Sequence, residues 1–318
     1  MSYYLGYDVG GTNTVCGLVD PRGQIIAYDK RKTEAHLGSA FMISNMVRMA
    51  TTLMDTSGIS PHDVTAAGVG VPGLVDPENG VVIFSGNLSW NNVPIGQLLQ
   101  EQLHIPVFVD NDVRMYVYGE SMIGAGKGHH HVLGVVIGTG IAVAIVNNGA
   151  LYYGNRYMSG ELGHVPVSND GYVCGCGRKD CLETIVSATG IVNHARRMME
   201  EGRASIMCEW LQKNGGIQAV DLSKAYDLGD PLAVDLMNQA GEQLGKALAF
   251  AVSLLSPDAL IIGGGFAYAG DRLITPMKRA LKKGILNDFW DQLTIKCAEH
   301  PEDAGVLGSA LNAQSKVN

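Results

Sequence analysis

The 318-residue chain is 46% hydrophobic and 17% charged and carries a formal net charge of −8. That composition belongs to a folded globular protein with room for two domains, and it excludes a disordered chain. The acidic balance, without any Lys/Arg cluster, excludes a nucleic-acid footprint, and six cysteines in so long a chain exclude a disulfide scaffold. The longest apolar stretch, Ala247 to Leu255, is too short for a bilayer and carries Ser253. The start, MSYYLGYDVGG, has neither a basic region nor an apolar core of a secretory signal, so a cytoplasmic protein without membrane partners is expected.

The chain opens as a strand, Tyr3 to Val9, a glycine turn, a strand from Thr14 to Val19, a turn at Asp20–Gly23 and a strand from Gln24 to Tyr28. Gly10, Gly11 and Thr12 in the first turn offer backbone N–H groups and a hydroxyl to a phosphate. Asp8 beside them offers a carboxylate to a hydrated Mg2+. Read alone, the stretch is equally an ordinary hairpin. Gly38 to Ser57 has the spacing of an amphipathic helix. Val64 to Val71 is a buried strand ending in Gly68-x-Gly70-x-x-Gly73, a formal match to the dinucleotide fingerprint. The residues after Gly73 are turn-formers rather than a helix start, so that reading is rejected in favour of a close approach by a sugar.

Asn87 is an amide suited to substrate hydroxyls or, equally, to a turn. A short helix, Ile95 to Leu103, leads to the strand Pro106 to Val109, which ends in Asp110-Asn111-Asp112. Strand ends are where α/β sheets place their chemistry. Asp112 is the candidate general base, able to take the proton of a hydroxyl that attacks a phosphoryl group. Asp and Asn also cap helices; Asp110 or Asn111 is expected to cap Val113 to Ile123 and leave Asp112 to the site. Gly124-Ala-Gly-Lys-Gly128 fails the P-loop pattern at its leading glycine and its trailing Ser/Thr. His129 to His131 reads as a solvated loop tip. The strand Val132 to Ile137, the turn Gly138-Thr139-Gly140 and the strand Ile141 to Val146 repeat the opening pattern, which predicts two related domains with a phosphate loop each.

Ser159 to Glu183 then packs His164, Cys174, Cys176 and Cys181 into a short span flanked by Glu161 and Glu183. Three thiolates and one imidazole suit a closed, structural tetrahedral zinc site. Such a knot would hold the two carboxylates towards a pocket. Ile185 to Glu201 is expected to be one helix, Arg203 to Asp230 a set of helical pieces, and Pro231 to Leu255 a long helix. The strand Ala259 to Ile262 ends in Gly263-Gly264-Gly265, which lets backbone approach an anionic or flat ligand. Cys16, Cys208 and Cys297 are expected as buried free thiols. The last helix, Ala304 to Gln314, is rich in small residues and suited to tight packing.

Assembled, these motifs resemble the ROK family of sugar kinases and repressors over nearly the whole chain. GELGHVPV followed by CGCGRKDCLET is similar to the family signature and zinc site, DVGGTNT and IGTGI to its phosphate loops, and IIGGG to its nucleotide turn. The resemblance implies an actin-like (ribonuclease H-like) α/β fold of two domains around an interdomain cleft. Their expected extents are 1–117, with the helix 304–318 packing back, and 118–303, hinged near Tyr116 to Gly119. It implies Asp112 as base, and Asn87, Asn111, Asp112, Glu161, His164 and Glu183 on the sugar hydroxyls, with His164 turning one ring nitrogen to zinc and one to sugar. ATP and Mg2+ would lie along Asp8, Gly10, Gly11, Thr12, Asn13, Gly138, Thr139, Gly140, Gly263, Gly264 and Gly265. Family precedent implies a homodimer.

Three departures from the pattern stand out: Ala142, Val143 and Ala144 follow the second phosphate turn in place of further glycine, Asp180 replaces a glycine before the last cysteine, and Val113-Arg114-Met115 replace small residues common in the glucokinases. Arg114 leaves the sugar open. The resemblance implies an ATP-dependent hexokinase with glucose favoured over allose, N-acetylglucosamine, N-acetylmannosamine or fructose. A sugar-sensing regulator is the alternative.

Overall fold

The computed structural model describes residues 2–317; Met1 and Asn318, the outermost residues of the expected first domain, lie outside them. The described chain forms two compact units. The first comprises the residues up to His130, Ala144–Ser159 and the residues from Ala298 onward; the second comprises His131–Val143 and Gly160–Cys297. These are cut differently from the expected division at 117/118. The physical reason is a helix, Asp112–Ile123, which runs unbroken through Tyr116 to Gly119 and packs along its length on the C-terminal helix.

In the first unit, β1 (Tyr3–Val9), β2 (Asn13–Val19) and β3 (Ile25–Lys32) form the expected meander, followed by α1 (Ser39–Ser57) and β4 (Val64–Val71). Residues expected only as turns and a loop form a small sheet of β5 (Leu74–Asp76), β6 (Val81–Ser85) and β7 (Trp90–Val93). Then come α2 (Ile95–Leu103), β8 (Val107–Asn111) and α3 (Asp112–Ile123). The main sheet has the order β3-β2-β1-β4-β8, with β1, β4 and β8 parallel. Its register aligns Asp8 with Gly70 and Gly70 with Asp110, so the polar residues gather at one carboxyl-terminal edge.

The second unit opens with β9 (His131–Ile137) and the start of β10 (Ile141–Asn147); β11 (Ala150–Leu151) follows within the first unit. α4 (Glu183–Val186), α5 (Ala188–Glu200), α6 (Met207–Asn214), α7 (Ala219–Asp227) and α8 (Pro231–Leu255) lead to β12 (Ala259–Gly263). α9 (Asp271–Gly284), α10 (Asn287–Gln292) and β13 (Thr294–Cys297) complete it, with β12 parallel to both β9 and β13. The single helix expected over Ile185–Glu201 is broken at Ser187, whose hydroxyl caps α5 by accepting from the Gly190 N–H at 2.9 Å. The Ala188 N–H then reaches the Gly138 carbonyl, which places this helix start on the second glycine turn.

The final helix, α11 (Ala304–Val317), returns to the first unit. Met42, Met46, Met49 and Leu53 of α1 join one core with Leu5, Tyr7 and Val69, while Val306, Leu307 and Ala310 of α11 join another with Tyr4, Val19 and Ala66. Gly6 and Gly68 permit the close approach of α11: a Cβ would stand 2.1 Å from the Val306 carbonyl oxygen at Gly6 and 1.8 Å from that of Ser309 at Gly68. Of the remaining thiols only Cys16 is buried; Cys208 is half-buried and Cys297 exposed, because the latter sits at the end of the edge strand β13. Among the described residues no helix is long and apolar enough to cross a membrane.

Candidate active site and metal centre

The edge of the first sheet carries the candidate base. Asn111 caps α3 by accepting from the backbone N–H groups of Val113 and Arg114, at 3.0 and 3.2 Å. This relieves Asp112 of the capping role. Asp112 Oδ1 accepts from Asn111 Nδ2 at 3.0 Å and from the Val113 N–H at 2.9 Å. Burial pushes its carboxyl up to about 6, against the pull of those hydrogen bonds and of the Arg114 charge. Asp8 is pushed up to about 7, first by burial and then by the Asp112 charge, with Lys30 opposing. Two neighbouring carboxylates, one of them raised in part by the other's charge, form a natural seat for a divalent cation. Gly70 lies between Asp8 and Asp110 in the register, and a Cβ there would press on Asp112 Cα at 3.3 Å.

The first glycine turn closes with the Gly10 N–H on the Asn13 carbonyl at 2.9 Å, and the Thr33 hydroxyl donates to the Gly10 carbonyl at 2.6 Å. Gly11 and Thr12 remain exposed at its tip. The Asn87 side chain stands against Gly11, close enough that a Cβ on Gly11 would lie 3.6 Å from Asn87 Cβ.

Arg114 turns away from solvent. Its Nε donates to the fully buried Asp110 at 2.6 Å and its Nη1 to the Tyr157 carbonyl at 3.0 Å, while the Tyr153 hydroxyl donates to Asp110 at 2.8 Å. The guanidinium is bound inside the protein, to Asp110 and to the segment 152–159.

In the second unit, one ligand atom from each of His164, Cys174, Cys176 and Cys181 lies within 4.8 Å of all the others. Cys176 and Cys181 Sγ are 3.7 Å apart, and Cys174 Sγ lies 3.6 Å from His164 Nδ1. Metal–ligand bonds of about 2.0–2.3 Å at tetrahedral angles demand ligand separations of roughly 3.5–3.8 Å. The donor set therefore fits structural zinc. The Arg178 backbone N–H pulls the Cys176 thiol down to about 6, whereas burial pushes Cys174 up to about 12. His164 Nε2 faces Glu161 Oε2 at 3.6 Å, so the ring presents one nitrogen to the thiols and the other to a carboxylate.

Glu183 ties this knot to the second glycine turn: Oε2 accepts from the Ile141 N–H at 3.2 Å, and Oε1 lies 3.6 Å from Cys174 Sγ. A Cβ on Gly140 would collide with Glu183 Oε2 at 2.3 Å, so Gly140 admits the carboxylate. The Gly138 N–H closes on the Gly140 carbonyl at 2.8 Å. Gly264, at φ 85, packs where a Cβ would meet the Ile137 carbonyl oxygen at 2.5 Å, which seats the third glycine turn beside the end of β9. Asp180 adopts φ 61, the left-handed conformation that favours glycine. Its carboxylate offsets that by accepting from the Ser168 hydroxyl and the Gly171 and Tyr172 N–H groups at 2.8–3.0 Å. Ala142 and Ala144 lie in β10 beyond the turn, with Ala144 buried, so neither side chain interrupts Gly138–Gly140.

The model of the ROK family matches residues 4–316. The chain belongs to the ROK family. Glucokinase of Thermotoga maritima is 34% identical over 318 residues, covering 98% of each chain. A ROK family glucokinase from Streptomyces griseus, solved in complex with glucose and AMPPNP, is 28% identical with a TM-score of 0.80, covering 99% of this chain and 100% of that one. A ROK family transcriptional regulator, a homolog of the Escherichia coli Mlc protein, is 25% identical with a TM-score of 0.85, and this chain covers 78% of it. The fold is the actin-like α/β fold of these ROK proteins.

Within this ROK chain, the first unit brings Asp8, Gly10–Asn13, Asn87, Asn111 and Asp112 to one edge of the fold, and the second gathers Glu161, His164, the three cysteines, Glu183 and Gly138–Gly140. The sequence reading missed the Asp110–Arg114–Tyr153 network and the anchoring of Glu183 on the Ile141 N–H. Asp110 and Arg114 four residues apart across a helix start were the one available signal; Tyr153, forty-three residues away from Asp110, gave none.

Proposed function

We propose that this chain transfers the γ-phosphoryl group of Mg·ATP to the 6-hydroxyl of a hexose, with glucose as the first choice, in the cytoplasm and as a homodimer. The enzyme class is an ATP-dependent sugar kinase. The observation that carries the reading is the state of Asp112. Both of its side-chain hydrogen bonds fall on Oδ1, which leaves Oδ2 to receive a proton, and burial holds its carboxyl at about 6, near the range where a base works at neutral pH. Asp112 takes the proton of the attacking hydroxyl as the new oxygen–phosphorus bond forms and the bond to ADP breaks.

Asp8 is the carboxylate suited to Mg2+, which supplies charge neutralisation on the phosphate oxygens when bound. Gly10–Asn13, Gly138–Gly140 and Gly263–Gly265 offer backbone N–H groups to the nucleotide. Asn87, Asn111, Glu161, His164 and Glu183 are the sugar-hydroxyl partners. Glu183 does this with a carboxylate already oriented by the Ile141 N–H.

The similarity to a transcriptional regulator supports a second reading, a sugar sensor that does not turn over. Coupled ADP release with Mg·ATP against glucose, allose, mannose, fructose and the N-acetylhexosamines decides between them. One sugar dominant in kcat/KM establishes the kinase and its substrate. Thermal stabilisation by a sugar without any ADP release would establish the sensor instead. Light scattering at the assay concentration tests the dimer.

A further inference from the structure

Arg114 is 5% exposed and Asp110 fully buried, and together they join three separate pieces of the first unit. The Arg114 Nε–Asp110 Oδ1 pair, at 2.6 Å, ties α3 to β8. Arg114 Nη1 and the Tyr153 hydroxyl tie both to the segment 152–159, and the guanidinium lies over the Tyr153 ring at 5.2 Å from its centroid. Burial, and then the charges of Asp76 and Glu78 on the β5–β6 turn, push the Tyr157 hydroxyl up to about 12, so those carboxylates face the same segment.

Stability alone does not account for this arrangement. A buried ion pair is commonly replaceable by apolar residues at no loss, and here Arg114 Nη2 is buried without a hydrogen-bond partner. The segment it holds is also strained: Arg156 and Tyr157 have φ of 51 and 62, a conformation that L-residues enter at a cost and that concentrates at functional sites. The position of the network says what it serves. Asp110 Oδ1, the oxygen that binds Arg114, also accepts the N–H of Asn111 at 2.7 Å, the peptide directly before the base. Tyr157 stands four residues before Glu161 in the chain.

We propose that Arg114 is a positioning residue for the phosphoryl acceptor, acting through Asp110 on the Asn111–Asp112 turn and through Tyr157 on the segment that runs into Glu161. The inference rests on the kinase reading above. A hydrophobic residue of similar volume would let the Asp110 carboxylate and the Asn111 peptide turn. The base would then address the hydroxyl at a poorer angle while the other sugar contacts persist. The loss falls on kcat more than on KM.

The test compares Arg114→Met, Arg114→Lys and Tyr153→Phe with the natural protein in kcat, hexose KM and melting temperature. Arg114→Met is expected to lower kcat about 100-fold with hexose KM within about threefold, as for a base misplaced by about 1 Å. Arg114→Lys recovers about tenfold of that loss, because an ammonium still pairs with Asp110 but cannot also reach the Tyr157 carbonyl in the same fork. Tyr153→Phe lowers kcat about fivefold by freeing one Asp110 oxygen. A folded Arg114→Met with kcat within twofold of natural overturns the proposal, as does a loss matched by the unfolded fraction alone. If Arg114→Met does not fold, an unchanged kcat in Tyr153→Phe overturns it. Absence of hexose turnover in the natural protein overturns the kinase reading and this inference together, whereas natural turnover with unaffected variants overturns this inference only.

Discussion

The β8–α3 corner and the His164–Glu183 knot both fix carboxylates in a chosen direction, and they do so by different physics. At the corner, Asp112 is held by hydrogen bonds from Asn111 and Val113, and Asp110 by Arg114 and Tyr153, so orientation depends on buried charges and on residues far apart in sequence. At the knot, Glu161 faces His164 and Glu183 faces Cys174, two residues whose positions a tetrahedral cation would lock. The corner is rigid through packing of the fold; the knot is rigid through chemistry concentrated between His164 and Cys181. The first should therefore fail in kcat when disturbed and the second in binding and in metal content.

The largest separation of the two is expected from Asp112→Asn. It keeps the shape and the hydrogen bonds of the corner but removes the proton acceptor. kcat should fall about 1,000-fold, within the range for loss of a general base, with sugar affinity by calorimetry within a few-fold of natural. Turnover above a tenth of natural would dismiss Asp112 as the base. Cys176→Ala should act the other way. Elemental analysis should find zinc lost, and hexose KM should rise about tenfold, as for one charged hydrogen bond lost when His164 and Glu161 are no longer oriented. Natural KM in a zinc-free variant would show that packing alone orients the knot.

The contrast also explains what the sequence disclosed. The knot was legible because its ligands sit close together in the chain and only a few side-chain types suit zinc. The corner was legible only at Asp110–Asp112. Its register with Asp8 follows from parallel pairing of β1, β4 and β8, which alternation and turn residues do not specify. Arg114 looked like a specificity residue because a sequence shows a charge and not its partner. The break at Ser187 was hidden by an unbroken helical period on both sides, although a serine three residues before Gly190 is a capping signal. The β5–β7 sheet was missed because short strands rich in turn residues carry little periodicity.

The pH dependence sharpens the corner further. With Asp112 at about 6, kcat/KM should rise with pH through that value and be about tenfold below its plateau at pH 5. Stability should run in the opposite direction. The folded-state values of Asp8 and Asp112 are raised above the ordinary carboxylate value, so their contribution is fully present below about pH 4 and is lost as pH rises through about 6 to 7. Asp8→Asn should flatten that loss in urea titrations of the nucleotide-free protein and should stabilise it at pH 8. A stability profile that rises between pH 5 and 7, and is unaltered by Asp8→Asn, would contradict the raised, burial-driven protonation of these carboxyls.

The smallest effect probes the knot's outer loop, where two local terms oppose each other. Asp180→Gly relieves a left-handed φ that favours glycine by roughly 1 kcal/mol. It also deletes a carboxylate that accepts three hydrogen bonds in a side chain only 9% exposed. The Gly171 and Tyr172 N–H groups sit in a loop that water can reach, so water replaces part of that hydrogen bonding. The balance of the two favours the aspartate. The variant should melt a few degrees lower, with zinc content and hexose KM unchanged, since Cys181 keeps its place through the Leu182 N–H on the Val165 carbonyl. A higher melting temperature would mean that backbone conformation, and not the carboxylate, governs this turn.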